Sequence, residues 1–405
     1  MQVEEFDGVV IAGAGPAGLT AALRLAQAGV PVRIYEAADA LSREARASTF
    51  HASSLEMLDT MGLSDELLDR GLVAPTYQFR DRREGCIVEL DMSVLADETR
   101  FPFRLQLNQG VLAELIKERL AGFDDAEVRF ETRVTGVEVE DVAAVLSVES
   151  SDGARSAVRA PYVIAADGSH SSIRNALGIP FEGVTYPDRY LVAATAMDLK
   201  QHIPDLAYVN YVGDPEQWYV LLATPDGWRV LFPVAMDVPD EEVAEESRVQ
   251  ELLRGVIDLG QPWPLEYKQL YKVHQRIAAT YRVGRVCLAG DAAHLNNPLG
   301  GMGMNSGIHD AFELSGRLIR MWREGHDDAS LADYAERRRA ITAEYVNRDT
   351  DKNWSQLRES DPDVRRQQHE RWRAIKASPE VEKEFLLRAS MLTSVREFAG
   401  AGGGV

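Results

Sequence analysis

The sequence predicts an α/β protein. A Rossmann-like domain is interrupted by a mostly antiparallel β-sheet and followed by a helical C-terminal region. Residues 6–37 have the pattern strand, glycine turn, helix and strand. Residues 188–281 are rich in β-branched and aromatic side chains, which favours an antiparallel sheet. From about Ser306 onward the pattern is helical and rich in Arg and Glu.

Composition limits the possible functions. The 405 residues are 45% hydrophobic and 27% charged, which is enough for two or three domains with substantial cores. A net charge of −20 repels phosphate backbones, so we expect no nucleic-acid partner. No apolar run could cross a bilayer and no leader pattern precedes the first strand, so we expect a cytoplasmic protein without a membrane partner. With only Cys86 and Cys287, we predict neither a disulfide framework nor a metal site.

The first element is a βαβ unit with a glycine-rich turn. Its motif is Gly13-Ala14-Gly15-Pro16-Ala17-Gly18, and Glu36 ends the second strand. Gly13 permits the tight turn, Gly15 lets the backbone approach a pyrophosphate, and Gly18 lets helix and strand pack closely. An acid in the position of Glu36 can bind ribose hydroxyls. The unit therefore predicts an adenine dinucleotide site but does not distinguish FAD from NAD.

The following elements alternate between the two predicted domains. Residues 42–62 indicate a loop and a helix, residues 76–100 short strands and turns, and an amphipathic helix begins near Asn108. Successive strands follow, with a turn at Asp152-Gly153 and an apolar strand at 162–166.

These elements predict that the sheet domain is inserted into the dinucleotide domain. The predicted division is a discontinuous dinucleotide domain at 1–75, 101–183 and 283–345, a substrate-binding sheet at 76–100 and 184–282, and C-terminal helices at 346–405.

The stretch GDAAHLNNPLGGMGMN, residues 290–305, places four glycines directly after an apolar strand. It is the third motif in order, after Gly13–Gly18 and the stretch ADGSHSSIR at 166–174. Together the three motifs resemble the FAD-dependent single-component aromatic hydroxylases, the family of para-hydroxybenzoate hydroxylase. The resemblance extends over residues 6–318.

The resemblance assigns residues to the cofactors FAD and NAD(P)H. Arg46 would contact the FAD pyrophosphate, Asp291 would bind a ribityl hydroxyl, and the loop 298–305 would lie against the isoalloxazine. Asp167 would contribute to FAD and nicotinamide binding, and His170 is a candidate for the nicotinamide. The expected cofactor residues are Gly13, Gly15, Ala17, Gly18, Glu36, Arg46, Gln109, Asp167, His170, Asp291, Pro298, Gly301, Gly303, Met304 and Asn305.

The activity implied by the resemblance is monooxygenation. NAD(P)H would reduce the flavin, O₂ would add to form a C4a-hydroperoxide, and a phenolic or hydroxypyridine-like substrate would be hydroxylated. The expected partners are thus a small aromatic substrate and O₂, and a homodimer is one expected assembly. Because deprotonation of a phenol raises the electron density of its ring, the predicted catalytic side chains are His51, Tyr211 and Tyr219, with Tyr190 behind them.

The sequence departs from the family pattern in two places. Benzoate-using members hold the substrate carboxylate with a Ser and an Arg on one strand, whereas the matching residues 218–224 contain no Arg. This favours a substrate without a carboxylate there, unless Arg189 or Arg229 supplies a cation. Met302 stands where many members carry a polar residue. A chain end near residue 405, without the thioredoxin-like domain of larger phenol hydroxylases, favours the smaller subfamily.

Other functions remain open from the sequence. The nearest is a flavoprotein of the same fold that acts as an epoxidase or reductase. A halogenase is disfavoured because no WxWxIP stretch occurs. An NAD-only dehydrogenase would use the first motif alone, and a non-catalytic flavin-binding subunit would oxidise no nicotinamide.

Overall fold

The computed structural model describes residues 3–42, 44, 47–325 and 329–399. The β-strands of this part of the chain are, in order, β1 Val3–Glu5, β2 Val9–Ala12, β3 Val32–Tyr35, β4 Thr49–Phe50, β5 Leu72–Ala74, β6 Thr76–Asp81, β7 Gly85–Asp91, β8 Arg104–Gln106, β9 Ala126–Arg129, β10 Thr132–Val139, β11 Ala144–Ser150, β12 Arg155–Ala160, β13 Tyr162–Ala165, β14 Phe181–Thr195, β15 Val209–Gly213, β16 Tyr219–Thr224, β17 Gly227–Ala235, β18 Tyr267–Ala278, β19 Arg282–Val283, β20 Val286–Leu288 and β21 His294–Leu295.

The α-helices follow the same order. They are α1 Pro16–Gln27, α2 Ala52–Thr60, α3 Ser64–Arg70, α4 Gln109–Leu120, α5 Ser172–Ala176, α6 Asp240–Val243, α7 Glu246–Arg254, α8 Met302–Glu324, α9 Ala329–Ile341, α10 Arg348–Leu357, α11 Pro362–Ala377, α12 Pro379–Ala389 and α13 Leu392–Ala399. A π-helical turn at Thr342–Asn347 joins α9 to α10. Short 3₁₀ turns lie at Met92–Leu95, Leu199–Gln201 and Gly290–Ala292.

A six-stranded sheet contains the βαβ unit. Its order is β19-β20-β13-β2-β3-β9, and all neighbouring pairs from β20 to β9 are parallel. Helix α1 packs against α4 and α8. Because parallel strands end at the same edge, β2, β3, β13 and β20 all deliver their following loops to one edge of this sheet.

An eight-stranded sheet is the second large element. Its order is β21-β18-β14-β17-β16-β15-β6-β7, and only the β15–β6 pair is parallel among the described strands. Strand β21 follows directly on the loop after β20 and pairs with β18. The loop region after β20 is thereby tied to both large sheets.

Two smaller sheets complete the β-structure. The order β1-β12-β11-β10 has its turn at Asp152-Gly153, where Gly153 adopts a φ of +82°. The order β4-β8-β5 joins the segment before α2 to the segment before α4.

The two faces of the eight-stranded sheet belong to different hydrophobic cores. Tyr211 belongs to the large core that also contains the six-stranded sheet. Tyr219 packs in a second core with Phe232 of β17 and Leu253 of α7. Across the two strands, Tyr211 pairs with Val220, and Val212 pairs with Tyr219. Because side chains alternate along a strand, Tyr211 and Tyr219 therefore point to opposite faces of the sheet.

The predicted fold class is confirmed, including the helical C-terminal region. One boundary was wrong: α8 begins at Met302, four residues before the predicted start near Ser306. Glycine disfavours helix, but the Asn305 side-chain amide holds this first turn, because it donates to Gly301 O within the turn (2.6 Å) and to the distant Thr49 O (2.8 Å). No helix among the described residues combines the length and apolar character that a membrane span requires.

Candidate active site

One edge of the six-stranded sheet collects the three sequence motifs. Strand β2 leads to Gly13, β3 to Glu36, β13 to Asp167 and β20 to Asp291. This edge is where open parallel sheets bind their ligands. Residues that are far apart in the sequence therefore face one common site.

The glycine turn is packed tightly at two positions and open at the third. Gly13 adopts a φ of +98°, and a side chain there would collide with the Ala166 carbonyl. A side chain at Gly18 would collide with the Gly13 carbonyl. A Cβ at Gly15 would meet nothing within 4 Å, although Gly15 caps the N-terminus of α1. The bare N–H groups of this helix end are suited to a pyrophosphate.

Glu36 is locked to the glycine turn. Its Oε2 accepts from the Ala14 N–H (2.8 Å) and its Oε1 from the Ala38 N–H (2.9 Å). A carboxylate offers about four acceptor positions, so Glu36 keeps positions for ribose hydroxyls.

The Asp167 loop holds an unpaired carboxylate oxygen. Asp167 Oδ2 accepts from Ser172 Oγ (3.1 Å) and Ile173 N (3.3 Å), whereas Oδ1 is buried without a partner. Arg174 ties this loop to the loop after β20 by donating to Ala292 O (3.0 Å). His170 is exposed and contacts Ser169 Oγ through Nδ1 (3.1 Å).

A buried charge network lies under the loop that carries Asp291. Asp291 is exposed between buried neighbours. Behind it, Asp310 accepts from the Gly290 N–H (3.0 Å) and pairs with Arg338 (2.6 Å) and His294 (2.7 Å). Burial acts to raise the pKa of Asp310, but Arg338 and His294 outweigh it and lower that pKa to about 2. Sequence reasoning missed this network because Arg338 belongs to a helical Arg run typical of a solvated face.

The glycine loop at 298–305 turns into α8 through two left-handed residues. Gly300 and Gly301 have φ values of +108° and +69°, and Gly301 N–H donates to Pro298 O (2.9 Å). A Cβ at Gly303 would lie 2.9 Å from Asn296 Oδ1. Met304 is half-buried beside them. The loop thus offers backbone rather than side chains, as a flat ring system requires.

These features fit an FAD. The open position at Gly15, the unpaired Asp167 Oδ1, the exposed Asp291 and the bare loop lie around one sheet edge. Gln109 begins α4 and its N–H donates to Ala47 O (3.1 Å), which brings it beside the segment around Arg46. Arg46 itself lies outside the described residues.

His51, which lies between β4 and α2, contacts the same glycine loop. Its Nε2 lies 2.8 Å from Gly300 O, and its backbone N–H donates to Asn305 Oδ1 (2.9 Å). Nδ1 is buried and has no hydrogen-bond partner among the described residues. Burial and the charge of Arg104 lower the pKa of His51 to about 3, against the opposing hydrogen bond to Gly300. His51 is therefore uncharged at neutral pH.

Arg104, a residue that sequence reasoning missed, connects Tyr211 with the region around His51. Arg104 of β8 is 3% exposed, and its Nη1 donates to the Tyr211 hydroxyl (3.2 Å). Its guanidinium carbon lies 3.9 Å from the centre of the Tyr77 ring. The Tyr211 ring stacks on Phe79 at 5.3 Å between centroids.

The structure does not bring Tyr219 to this group, since Tyr219 lies in the second core on the other face of the sheet. Tyr190 is buried nearer the loop, and its hydroxyl exchanges hydrogen bonds with the Asn297 side chain (3.0–3.2 Å). Arg189 pairs with Asp240 and donates to Ala235 O (3.1 Å), so its charge is already compensated.

Comparison with known proteins supports the same cofactor. The protein family described as "FAD binding domain" matches residues 7–349. The para-nitrophenol 4-monooxygenase of Pseudomonas sp. (strain WBC-3) is 32% identical over 97% of this chain and 98% of its own length. The 6-hydroxy-3-succinoylpyridine 3-monooxygenase of Pseudomonas putida (strain DSM 28022 / S16) is 31% identical over 82% of this chain and 84% of its own.

Solved structures agree with these relatives. The p-nitrophenol 4-monooxygenase from Pseudomonas putida DLL-E4 superposes with a TM-score of 0.91 at 31% identity, covering 96% of this chain and 99% of that one. The anhydrotetracycline hydroxylase from Streptomyces rimosus gives a TM-score of 0.79 at 28% identity, covering 96% and 76%. The chain therefore belongs to the FAD-binding family of flavoprotein monooxygenases that resemble para-hydroxybenzoate hydroxylase, and it is an FAD-dependent aromatic hydroxylase.

Proposed function

We propose that this hydroxylase acts on a small phenol, such as para-nitrophenol, with NAD(P)H as the reductant. One observation carries the proposal: four residues of the segments that connect the glycine loop with the eight-stranded sheet have buried polar atoms without partners among the described residues. They are His51 Nδ1, Arg104 Nε, Gln106 Nε2 and the Tyr77 hydroxyl. Such atoms are rare in folded proteins, and a bound polar ring would supply the missing partners. The named substrates of the two relatives, a nitrophenol and a hydroxypyridine, have this chemistry.

The reaction balances with one O₂ and one NAD(P)H. One oxygen atom enters the aromatic ring, the other leaves as water, and NAD(P)H supplies two electrons. The chemistry that FAD supplies when bound is to accept hydride from the nicotinamide and to activate O₂. The chain supplies position, charge and exclusion of water.

His51 positions the loop against which the substrate would lie. Because Nε2 faces the Gly300 carbonyl, that nitrogen carries the proton and Nδ1 presents a lone pair. A neutral His51 holds the carbonyl of Gly300 without placing a second positive charge beside Arg104. Tyr211, whose hydroxyl is fixed by Arg104, would face the substrate from the sheet.

We propose a separate role for each of the predicted domains. Residues 1–75, 101–183 and 283–345 would hold FAD, and residues 76–100 and 184–282 would form the substrate sheet. Residues 346–405, of which 400–405 lie outside the described part of the chain, would form the C-terminal helical region. The exposed His170 would contact the nicotinamide. The homodimer stays a prediction.

The test is oxidation of NADH and NADPH by the FAD-loaded protein in air, with hydrogen peroxide measured in parallel. The panel contains para-nitrophenol, unsubstituted phenol, hydroxypyridines and hydroxybenzoates. We expect a phenol to stimulate oxidation, with nicotinamide consumption exceeding peroxide release. Stimulation by none of the panel, with FAD demonstrably bound, would overturn the proposal.

A further inference from the structure

We propose that Arg104 and Tyr211 form an oxyanion-binding pair that takes the substrate as its phenolate. This inference rests on the proposed function and sharpens it from small phenols to phenols bound as anions.

Among the described residues, no carboxylate forms an ion pair with the buried cation Arg104. Its side chain donates to the Tyr211 hydroxyl and lies over the face of the Tyr77 ring, and its Nε is unpartnered. Four other buried arginines are paired with acids: Arg33 with Glu4 and Glu127, Arg189 with Asp240, Arg317 with Glu313 and Arg338 with Asp310. The buried Arg174 donates instead to the backbone carbonyls of Ala292 (3.0 Å) and Ser169 (2.9 Å). Burying an uncompensated charge is costly, so the position is suited to an anionic ligand.

Tyr211 is oriented to donate to the same ligand. Its hydroxyl oxygen accepts from Arg104 Nη1, and the described residues offer its own O–H no acceptor. A hydroxyl can donate once while it accepts. An oxyanion between Arg104 and Tyr211 would thus receive charge-assisted hydrogen bonds from both, which are stronger than neutral ones.

The surrounding groups leave Arg104 as the group that compensates the phenolate charge. His51 is neutral, and its lowered pKa makes it a weak base for a phenolic proton. Burial raises the pKa of Tyr77, which keeps that ring neutral as well. Glu382 acts electrostatically on Tyr77, but it is paired with Lys376 (2.8 Å) and accepts from the Asp91 N–H (3.2 Å). Arg104 is therefore the charged group that lies next to the Tyr211 hydroxyl.

The position of the pair suits ring hydroxylation. Arg104 acts electrostatically on His51, whose Nε2 contacts the glycine loop. An oxyanion held by Arg104 would therefore place its ring next to the loop that fits the flavin. A phenolate ring is richer in electrons than a phenol ring, so binding the anion also activates it. The pair should favour phenols made acidic by electron-withdrawing substituents.

The first experiment is a spectroscopic titration of the FAD-loaded protein with para-nitrophenol, without nicotinamide. At a pH one unit below the phenol's solution pKa, bound ligand should show the phenolate absorption band. The dissociation constant should fall as pH rises towards that solution pKa. The neutral analogue 4-nitroanisole should bind at least about 10-fold more weakly, since it has no charge to pair.

Variants separate charge from packing. Arg104→Met should abolish the phenolate band and weaken para-nitrophenol binding roughly 30-fold to 100-fold, while 4-nitroanisole binding and FAD content stay unchanged. Arg104→Lys, which keeps the charge, should retain the band with intermediate affinity. Arg189→Met is the matched control, because it removes a buried arginine of the sheet that already has a carboxylate. Folded Arg189→Met protein should keep the band.

The inference is overturned if the wild-type protein binds para-nitrophenol without the phenolate band. Retention of the band in Arg104→Met, or its loss in Arg189→Met alone, would also overturn it. If Arg104→Met does not fold, the pH dependence of wild-type binding and the Arg104→Lys variant still decide. A protein that hydroxylates a bound neutral phenol contradicts this inference alone, whereas one that hydroxylates no phenol contradicts the proposed function.

Discussion

The glycine-turn edge and the Arg104 region differ in how their polar groups are satisfied. At the glycine turn, neighbouring segments supply the partners: Glu36 accepts from the backbone N–H groups of Ala14 and Ala38. In the Arg104 region, His51, Arg104 and Tyr77 come from three separate chain segments, and each leaves a buried atom unpartnered. The glycine turn is built by a local motif, whereas we propose that a ligand completes the Arg104 region.

Paired substitutions at the glycine turn should give the largest effects and test whether its openness serves a cofactor. Gly18→Val should destabilise the fold by about 3 kcal/mol or more, because its side chain meets the Gly13 carbonyl. Gly15→Val has open space, so it should fold but weaken FAD binding about 100-fold, or about 2.7 kcal/mol. Thermal unfolding of the apoprotein and FAD titration measure the two. Equal FAD affinity in Gly15→Val would remove the turn from the cofactor site.

Histidine substitutions should separate the two regions by activity. His51→Ala should lower kcat/KM for the phenol roughly 10-fold to 100-fold with FAD content unchanged, because the Gly300 contact and the Nδ1 acceptor are lost. His170→Ala, at an exposed position, should raise only the KM for the nicotinamide. Steady-state kinetics with each substrate varied in turn check both. The reverse pattern would contradict the comparison.

Tyrosine substitutions compare the two faces of the substrate sheet. Tyr211→Phe should weaken phenol binding about 10-fold, since a hydrogen bond beside a charged group is lost. Tyr219→Phe should change it less than about 2-fold, because Tyr219 lies in the second core. Binding titrations on the two FAD-loaded variants are the measurement, and equal losses would place Tyr219 back in the site.

A further prediction concerns stability against pH. Burial lowers the pKa of His51 from 6.5 to about 3 and that of His309 well below its usual value. A depressed folded-state pKa contributes stability that is fully present above about 6.5 and is lost as pH falls towards 3. Each histidine should add up to about 1.4 kcal/mol per pH unit to the loss. Denaturant unfolding of His51→Gln between pH 6.5 and 4.5 should show a shallower slope than wild type, and an identical slope would contradict the assignment.

The comparison also explains what the sequence could predict. Gly13, Gly18 and Glu36 act within one βαβ unit, so their spacing alone predicted the tight turn and the close packing of helix and strand, but not the hydrogen bond from the Ala14 N–H to Glu36. The start of α8 was missed because the bonds of Asn305 to Thr49 and His51 join distant segments. Helix propensity depends on local sequence and therefore does not predict such long-range contacts.

Arg104 and Tyr219 show the limit more sharply. All three residues of β8 are buried, so the polar–apolar alternation of Arg104, Leu105 and Gln106 does not mark a solvent face. Both faces of β16 are also covered, so its apolar residues do not alternate with polar ones. The sequence therefore does not show on which face of the sheet Tyr219 lies. The face of β16 that lies towards the cofactor domain is determined by how the two large sheets pack together, which local sequence does not show.

The most direct test of the account is a single turnover with isotopically labelled O₂. FAD-loaded protein is reduced by NAD(P)H without air and then mixed with labelled O₂ and para-nitrophenol, and the product is analysed by mass spectrometry. We expect one labelled oxygen atom per product molecule for wild type and Tyr219→Phe, and a large loss of labelled product for Arg104→Met. Unlabelled substrate recovered from wild type, with all the O₂ consumed appearing as peroxide, would contradict it.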